Sequence, residues 1–475
     1  MKFVIPIIVS VCVFACNRQA ERGAQRLAIA GALDLQKHDF TNAGSVDLDG
    51  EWEYYPGELV NPEDLAKKQA SKRIAVLPRS FNSYTEPGLR LPAAASATYR
   101  LTVQLPDKLA MYVMRIPPPA TASRVFINNS LEIETGRVSE KPAEVVAAGP
   151  MQYFQGPLAG KTEILIQVSN VKNRRGGIWQ KLTLGVAPVM IGERLKSITL
   201  DVTIAAALMT IALYHLALAL LRSPDKSIIQ YAIFCFLIGL RRLLTHEQLI
   251  ANFWPELSWE SHMALEYFTI YAGGLFFQLY VTQFFSAMAT DRVIRFSALV
   301  TGVLAILGVV LPVQTARYLL PIFQWGFFFV CLYLFYHVVK FARQRVFGAG
   351  VFAGGILALT LAFINDSLGS NEIIRTPPVI SYAIFCFIFV QAFMISGKSL
   401  LVFRDNANLS ARLLHSDRLR DDFLTQTTHE LRTPVQAMVQ TAENLRRGAS
   451  GAVSEQVQRS LAVMEENGQR LLYLI

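Results

Sequence analysis

The sequence predicts a multidomain membrane protein with an all-β domain, a bundle of seven transmembrane helices and a C-terminal α-helical hairpin. Three observations predict this fold class. Apolar and polar residues alternate with a period of two between residues 30 and 190. Residues 198–401 form successive apolar segments of membrane length, and residues 402–475 are charged, with apolar residues at helical spacing.

The N-terminal residues 1–16 predict a signal peptide. One lysine precedes an apolar run that is too short to span a membrane comfortably, so we expect the following domain to be exported. The run ends in VFAC, which resembles a bacterial lipoprotein cleavage box with Cys16 as the lipidated residue. An ordinary signal peptide with an incidental cysteine remains the alternative.

The next segment, residues 30–190, predicts an extracytoplasmic β-sandwich sensor domain. In TYRLTVQL, the side chains of Tyr99, Leu101, Val103 and Leu105 would lie on one face of a strand and the polar residues on the other. The runs RVFINN and ILIQVSN repeat this alternation, and turn residues separate them. A β domain of this length can bury its own core.

Three segments of this domain, GEWEYYPGEL, ATYRLTVQLP and GGIWQKLTLG, carry a family resemblance. They resemble the extracytoplasmic jelly-roll sensor domains of bacterial seven-transmembrane receptors with diverse intracellular signalling modules. The resemblance implies an extracytoplasmic ligand, and jelly rolls often bind carbohydrates. Trp52, Tyr54 and Trp179 are candidates for a platform on which a sugar would stack, with packing in the core as the alternative for these aromatic residues.

Seven apolar segments then approach the roughly 20 residues that a helix needs to cross a bilayer. Lysine and arginine collect at the ends of these segments, so the net charge of +9 indicates membrane lipids as partners and not nucleic acid. An odd number of spans places the β domain and the C-terminal hairpin on opposite sides of the membrane, and the signal peptide indicates that the β domain is the one outside the cytoplasm. This arrangement is expected for a multi-pass protein of the bacterial inner membrane. The segments are 198–221, 227–245, 262–285, 294–313, 318–340, 347–367 and 378–401.

Several ionisable residues lie inside these segments and are candidates for function, although some are close enough to an interface for hydration to stabilise their charge. Arg241 and Arg242 interrupt the end of the second span, where we expect them to snorkel or to pair with Glu247 or Glu256. The other candidates are Asp201, His215, Glu266, His337 and Asp366.

The most specific motif is FLTQTTHELRTP, residues 423–434, within a heptad-like helical stretch. It resembles the phosphoacceptor box of bacterial sensor histidine kinases. The resemblance implies that His429 accepts a phosphoryl group and that Glu430 acts as the general base. It also implies that Thr433 positions a water for dephosphorylating the aspartate of a response regulator.

A turn at residues 447–451 and a second amphipathic helix complete a hairpin. Two helices with one apolar face each cannot enclose a core alone, so the hairpin predicts a homodimer with a four-helix bundle. By the resemblance, the expected partner is the receiver domain of a response regulator.

A complete sensor kinase continues into a domain that binds Mg-ATP. The sequence Gly348–Ala349–Gly350 lies in an apolar segment and does not predict a nucleotide loop. We therefore expect that this chain is truncated, that it binds no cofactor itself, and that Mg-ATP binds only to the absent catalytic domain.

The resulting prediction is a two-component sensor histidine kinase that controls phosphorylation of His429 and phosphotransfer to a response regulator. The alternative is a non-enzymatic receptor or adaptor that dimerises with a full kinase or is phosphorylated by it in trans. Membrane transport is a third interpretation, but it gives the C-terminal hairpin no role.

Overall fold

The computed structural model describes residues 26–118, 121–149, 151–221, 226–288, 291–370, 374, 376, 379–449, 451 and 454–474. The predicted signal peptide and Cys16 lie outside the described residues. The chain divides into two compact units, Met1–Ala392 and Phe393–Ile475.

Eleven strands in the described part of the chain form two sheets. One sheet has the order β4-β3-β5-β10-β7-β8, with β1 pairing in parallel with β5, and the other has the order β2-β11-β6-β9. The strands are β1 Ala32–Asp34, β2 Val46–Asp47, β3 Gly50–Pro56, β4 Arg73–Leu77, β5 Ala95–Gln104, β6 Ala110–Ile116, β7 Ala122–Ile127, β8 Ser130–Thr135, β9 Gln152–Leu158, β10 Lys161–Asn170 and β11 Thr183–Val186.

The core of the β domain lies between these sheets. Strand β5 pairs antiparallel with β10, with Tyr99 opposite Ile166, and successive side chains of a strand point to opposite faces. Tyr99 and Ile166 are completely buried, and they share one apolar cluster with Tyr112 and Leu184 of the second sheet. The all-β prediction is therefore confirmed, while the jelly-roll assignment stays a prediction.

Among the described residues of the predicted membrane region there are seven long helices, with two short helices between them. Six of the seven are long and apolar enough to cross a membrane; α4 is the remaining one. The helices are α1 Ala187–Leu221, α2 Lys226–Leu244, α3 Leu249–Phe253, α4 Trp259–Phe284, α5 Arg292–Val310, α6 Val313–Ala316, α7 Leu319–Arg343, α8 Ala349–Ser370, α9 Ile380–Arg446 and α10 Glu455–Leu474.

Helix α4 is less apolar than the membrane-length segments of the other six long helices, because polar side chains interrupt its apolar residues. Some of these side chains form hydrogen bonds inside the bundle. Gln278 donates to the hydroxyl of Thr301 on α5, and Tyr280 donates to Gln391 on α9 at 3.2 Å. Such interhelical hydrogen bonds satisfy polar groups that lipid cannot. The membrane-protein fold is confirmed with six apolar helices, and a crossing by α4 stays a prediction.

Helix α9 is 67 residues long and continues through Pro434 without interruption. Its N-terminus is capped by Asp366, whose carboxylate accepts hydrogen bonds from the backbone N–H groups of Val379 (2.8 Å) and Ile380 (3.1 Å). Pro434 removes one backbone donor from the helix, yet the helix continues to Arg446, and the proline is exposed to solvent.

The second unit, Phe393–Ile475, contains the hairpin that the C-terminal part of α9 forms with α10. Arg446 pairs with Glu465 across the two helices at 3.1 Å, and Val435 and Ala442 are buried. Gly468 permits a close approach, because a Cβ atom there would lie 2.2 Å from the side chain of Val439. The predicted two-helix hairpin is therefore present within one chain.

Candidate functional site

His429 lies on the exposed surface of α9. In the described part of the chain, no side chain makes a hydrogen bond or ion pair with its imidazole, and its backbone carbonyl continues the helix. A regular helix therefore fixes the backbone of this residue and leaves both ring nitrogens accessible. An imidazole in this position can reach a substrate delivered by another domain.

Glu430 and Thr433 lie beside His429 on the same helix, as the motif requires. Gln426 donates to the Glu430 carboxylate at 2.9 Å, which holds that side chain one turn toward the N-terminus. The Thr433 hydroxyl donates to the backbone carbonyl of His429 at 3.2 Å. Rotation about one side-chain bond would free this hydroxyl to bind water. The structure thus places an imidazole, a carboxylate and a hydroxyl within one helical turn.

A second exposed histidine, His415, lies on α9 on the N-terminal side of the motif. It shares the helix and the solvent exposure of His429, but the sequence around it is HSDRL and not HELRT. His415 is therefore a matched control for chemistry assigned to His429.

The apolar stripe of the hairpin remains largely exposed in the single chain. Leu419 is 56% exposed, Phe423 is 67% exposed and Met438 is 53% exposed. On α10, Val457 and Met464 are also exposed. One hairpin therefore does not cover its own apolar surface, which is the condition under which two copies form a bundle.

The predicted aromatic platform is wrong for Trp52 and Tyr54. Both residues are 0% exposed and belong to the core of the β domain, so neither can stack on a ligand. The Trp52 Nε1–H donates to the carbonyl of Leu48 at 2.9 Å, which satisfies the indole inside the core. Trp179 is partly buried, and the guanidinium of Arg175 lies over its ring. Packing, the alternative interpretation, accounts for Trp52 and Tyr54, whereas a ligand contact at Trp179 stays a prediction.

The predicted partners of the two arginines at the end of α2 are also wrong. Arg241 binds the backbone carbonyl of Glu266 and approaches its carboxylate at 3.6 Å, while Arg242 pairs with Asp201 at 2.5 Å. Both acidic partners lie on neighbouring long helices, because α2 packs between α1 and α4. The arginines are thus neutralised inside the bundle and not in the loop that follows α2.

Glu247, the partner expected for these arginines, instead joins the β domain to the bundle. It accepts hydrogen bonds from Tyr153 on β9 and from Ser197 on α1, both at 3.0 Å. Burial is the main cause that raises the pKa of Tyr153, and the adjacent Glu247 carboxylate raises it further. An ion pair between Lys172 and Glu260 links the same two parts. The sequence carries no periodic signal for this junction, because its residues come from separate strands, helices and loops.

Metal-binding chemistry finds no support in the described residues. No group of three or more histidine, cysteine, aspartate or glutamate side chains there is arranged to hold a metal ion.

Two family models match the chain. Residues 198–397 match the family described as 7TM diverse intracellular signalling, which covers the helical region from α1 into α9. Residues 419–475 match the His Kinase A (phospho-acceptor) domain, and His429, Glu430 and Thr433 all lie inside this match. No curated protein matches the chain.

Similarity to solved structures covers a smaller part of the chain. A beta-glucuronidase from an uncultured Clostridium species is 14% identical over 30% of this chain and 28% of its own, with a TM-score of 0.22. A GH2 beta-galacturonidase from Eisenbergiella tayi is 9% identical over 30% and 24%, with a TM-score of 0.22. A Ruminococcus gnavus beta-glucuronidase is 12% identical over 30% and 29%, again with a TM-score of 0.22.

Proposed function

We propose that this chain is a two-component receptor whose His429 accepts and transfers a phosphoryl group. The proposal starts from the match to a 7TM diverse intracellular signalling region followed by the match to a His Kinase A phospho-acceptor domain. The observation that carries this proposal is the exposed imidazole within the matched domain. Its partners in the reaction are an ATP-binding domain of the histidine kinase type and the receiver domain of a response regulator.

The chemistry of phosphoryl acceptance follows from the groups around His429. A neutral imidazole attacks the γ-phosphorus of ATP through one ring nitrogen, the new N–P bond replaces the bond to the bridging oxygen, and ADP leaves. The other ring nitrogen still carries its proton at this stage, so the phosphorylated ring is positively charged. The Glu430 carboxylate stabilises that charge and accepts the proton, which is the role of a general base.

Thr433 serves a second proposed activity, the dephosphorylation of the response regulator. Its hydroxyl lies one turn from His429 and, once rotated away from the helix backbone, can hold a water molecule against the aspartyl phosphate. A Thr433→Ala variant is therefore expected to lose phosphatase activity while His429 still accepts phosphate.

The proposed protein is a homodimer. Exposed apolar residues follow both helices of the hairpin, and their burial against a second copy would complete a four-helix bundle. The coiled-coil-like stretch that begins near Leu409 would extend the same contact.

The proposed location is the bacterial inner membrane, with the β domain outside the cytoplasm and the hairpin inside. Helix α9 begins among the helices of the first unit and continues without a break to His429. A shift or rotation of its first turns can therefore be transmitted along one continuous helix. The extracytoplasmic stimulus acts through the β domain, through the bundle, or through both.

The proposal is tested by phosphorylating the full chain in lipid nanodiscs with ATP labelled at the γ position. The ATP-binding domain of a histidine kinase is supplied in trans. We expect a label that is lost in acid and stable in base, that disappears in His429→Gln and that persists in His415→Gln. Label that survives in His429→Gln would refute the assignment.

A further inference from the structure

A cavity of about 300 Å³ lies inside the helix bundle of the first unit. Six helices border it: α1, α2, α4, α7, α8 and α9. Its volume is at the lower end of the roughly 300–1,000 Å³ that small-molecule pockets occupy. The residues that line it do not include any residue of the phosphoacceptor motif.

The cavity has one polar end and one apolar end. Arg241 and Arg242 at the end of α2, Asp366 near the end of α8 and Ser381 at the start of α9 form the polar end. The remaining wall is mostly apolar, as at Leu208, Phe277, Phe327 and Ile356. This division matches a ligand with a polar head and a hydrocarbon chain.

At the polar end of the cavity, a cationic side chain, Arg242, has a hydrogen-bond donor without a partner among the described residues. The side chain of Arg242 is only 10% exposed, and one of its nitrogens pairs with Asp201. Its Nε is buried and has no hydrogen-bond partner among the described residues. The carboxylate of Asp366, in contrast, accepts from two backbone N–H groups and from Asn365. Among the described residues that line this end of the cavity, the buried polar atom without a hydrogen-bond partner is therefore a donor of Arg242.

We propose that this cavity binds an aliphatic carboxylate, with the head group at Arg242 and a chain of about eight to twelve carbons along the apolar wall. A guanidinium presents paired donors that match a carboxylate, and the bond is charge-assisted. A carbohydrate does not fit, because its many hydroxyl groups would face apolar side chains. A two-chain phospholipid is too large for the space.

The cavity also adjoins the helix that carries His429. Ile380, Ser381 and Ile384 in the first turns of α9 line it, and Asp366 both lines the cavity and caps that helix. A bound ligand would therefore bias the position of these turns. This consequence rests on the proposed function, whereas the binding itself does not.

Binding of radiolabelled decanoate to the full chain in nanodiscs tests the proposal directly. We expect saturable binding of one decanoate per chain, and competition by decanol about tenfold weaker, because decanol lacks the charge-assisted hydrogen bond. Equal competition by decanol would overturn the assignment of the head group. Absence of saturable binding would overturn the site.

Two variants locate the ligand within the cavity. Gly273→Leu places a side chain into the cavity and should abolish decanoate binding, since only Ile238 lies near the added Cβ, at 3.4 Å. The matched control is Gly326→Leu on α7, where no atom lies within 4 Å of the added Cβ and binding should persist. Unchanged binding in Gly273→Leu would overturn the location.

Removal of the cation requires a variant that keeps the bundle folded. Asp201→Leu combined with Arg242→Leu removes both charges together and should abolish the preference for decanoate over decanol. A retained preference would overturn the role of Arg242. Absence of decanoate binding with normal labelling of His429 would reject the cavity inference alone, whereas binding without His429 labelling would reject the proposed function alone.

Discussion

Removing Asp201 should destabilise the helix bundle strongly. Its carboxylate is 0% exposed and pairs with Arg242 at 2.5 Å, and the His246 ring lies at 3.0 Å on its other side. Loss of one member of a buried ion pair leaves the other charge buried without a partner, at a cost of about 3–5 kcal/mol. For a bundle of this size, that cost corresponds to a fall in melting temperature of roughly 6–20 °C.

The unfolding of the bundle can be followed with a thiol-reactive fluorescent dye. Cys235 and Cys331 are buried on α2 and α7, so they react only when these helices separate. Asp201→Leu should react at a much lower temperature than the native chain. The double variant Asp201→Leu with Arg242→Leu should recover to within about 1 kcal/mol of the native stability, because it buries no unpaired charge.

The second arginine pair provides the control. The side chains of Arg241 and Glu266 are 27% and 26% exposed and lie 3.6 Å apart, so Glu266→Gln should lower stability by only about 1 kcal/mol or less. Equal losses in Asp201→Leu and Glu266→Gln would refute the argument from burial. Failure of the double variant to recover would show that the pair, and not the unpaired charge, determines the stability.

Three further predictions concern the other parts of the molecule. Trp52→Ala should destabilise the β domain by about 3–5 kcal/mol, measured by circular dichroism on heating, whereas a stacking platform on the surface would predict almost no change. Gly468→Ala should weaken the hairpin, although alanine favours a helix, because the added Cβ would lie 2.2 Å from the side chain of Val439. Combining it with Val439→Ala should restore the hairpin by removing the clashing atom, and the loss of helicity on heating measures both effects. An extracytoplasmic reporter inserted near Trp254 should be active if α2 crosses the membrane, and cytoplasmic behaviour there would contradict the proposed topology.

The sequence predicted most of the fold because its signals are local. Alternation by two placed Tyr99, Leu101 and Val103 on the buried face of β5, where all three are 0% exposed. Segment length and composition placed the long helices. A motif of adjacent residues placed His429 on an exposed helix, since such a motif needs no knowledge of tertiary packing.

The sequence could not predict contacts that depend on how elements rotate and pack. A helix that is apolar on several faces gives no indication of which neighbour it meets, so the partners of Arg241 and Arg242 were assigned to nearby loop residues and not to Glu266 and Asp201. Alternation cannot distinguish a core tryptophan from one on an accessible face, as Trp52 shows. The bundle cavity arises from six helices together, and no single segment contains its signal.

Locating the phosphoryl group on the intact chain tests the central claim most directly. After phosphorylation in trans, the protein is digested at neutral pH to preserve phosphohistidine, and fragmentation by electron transfer in a mass spectrometer assigns the modified residue. We predict that the phosphoryl group lies on His429, within the fragment that also contains Glu430 and Thr433. A phosphoryl group on His415, or on a serine or threonine of the hairpin with His429 unmodified, would contradict the account.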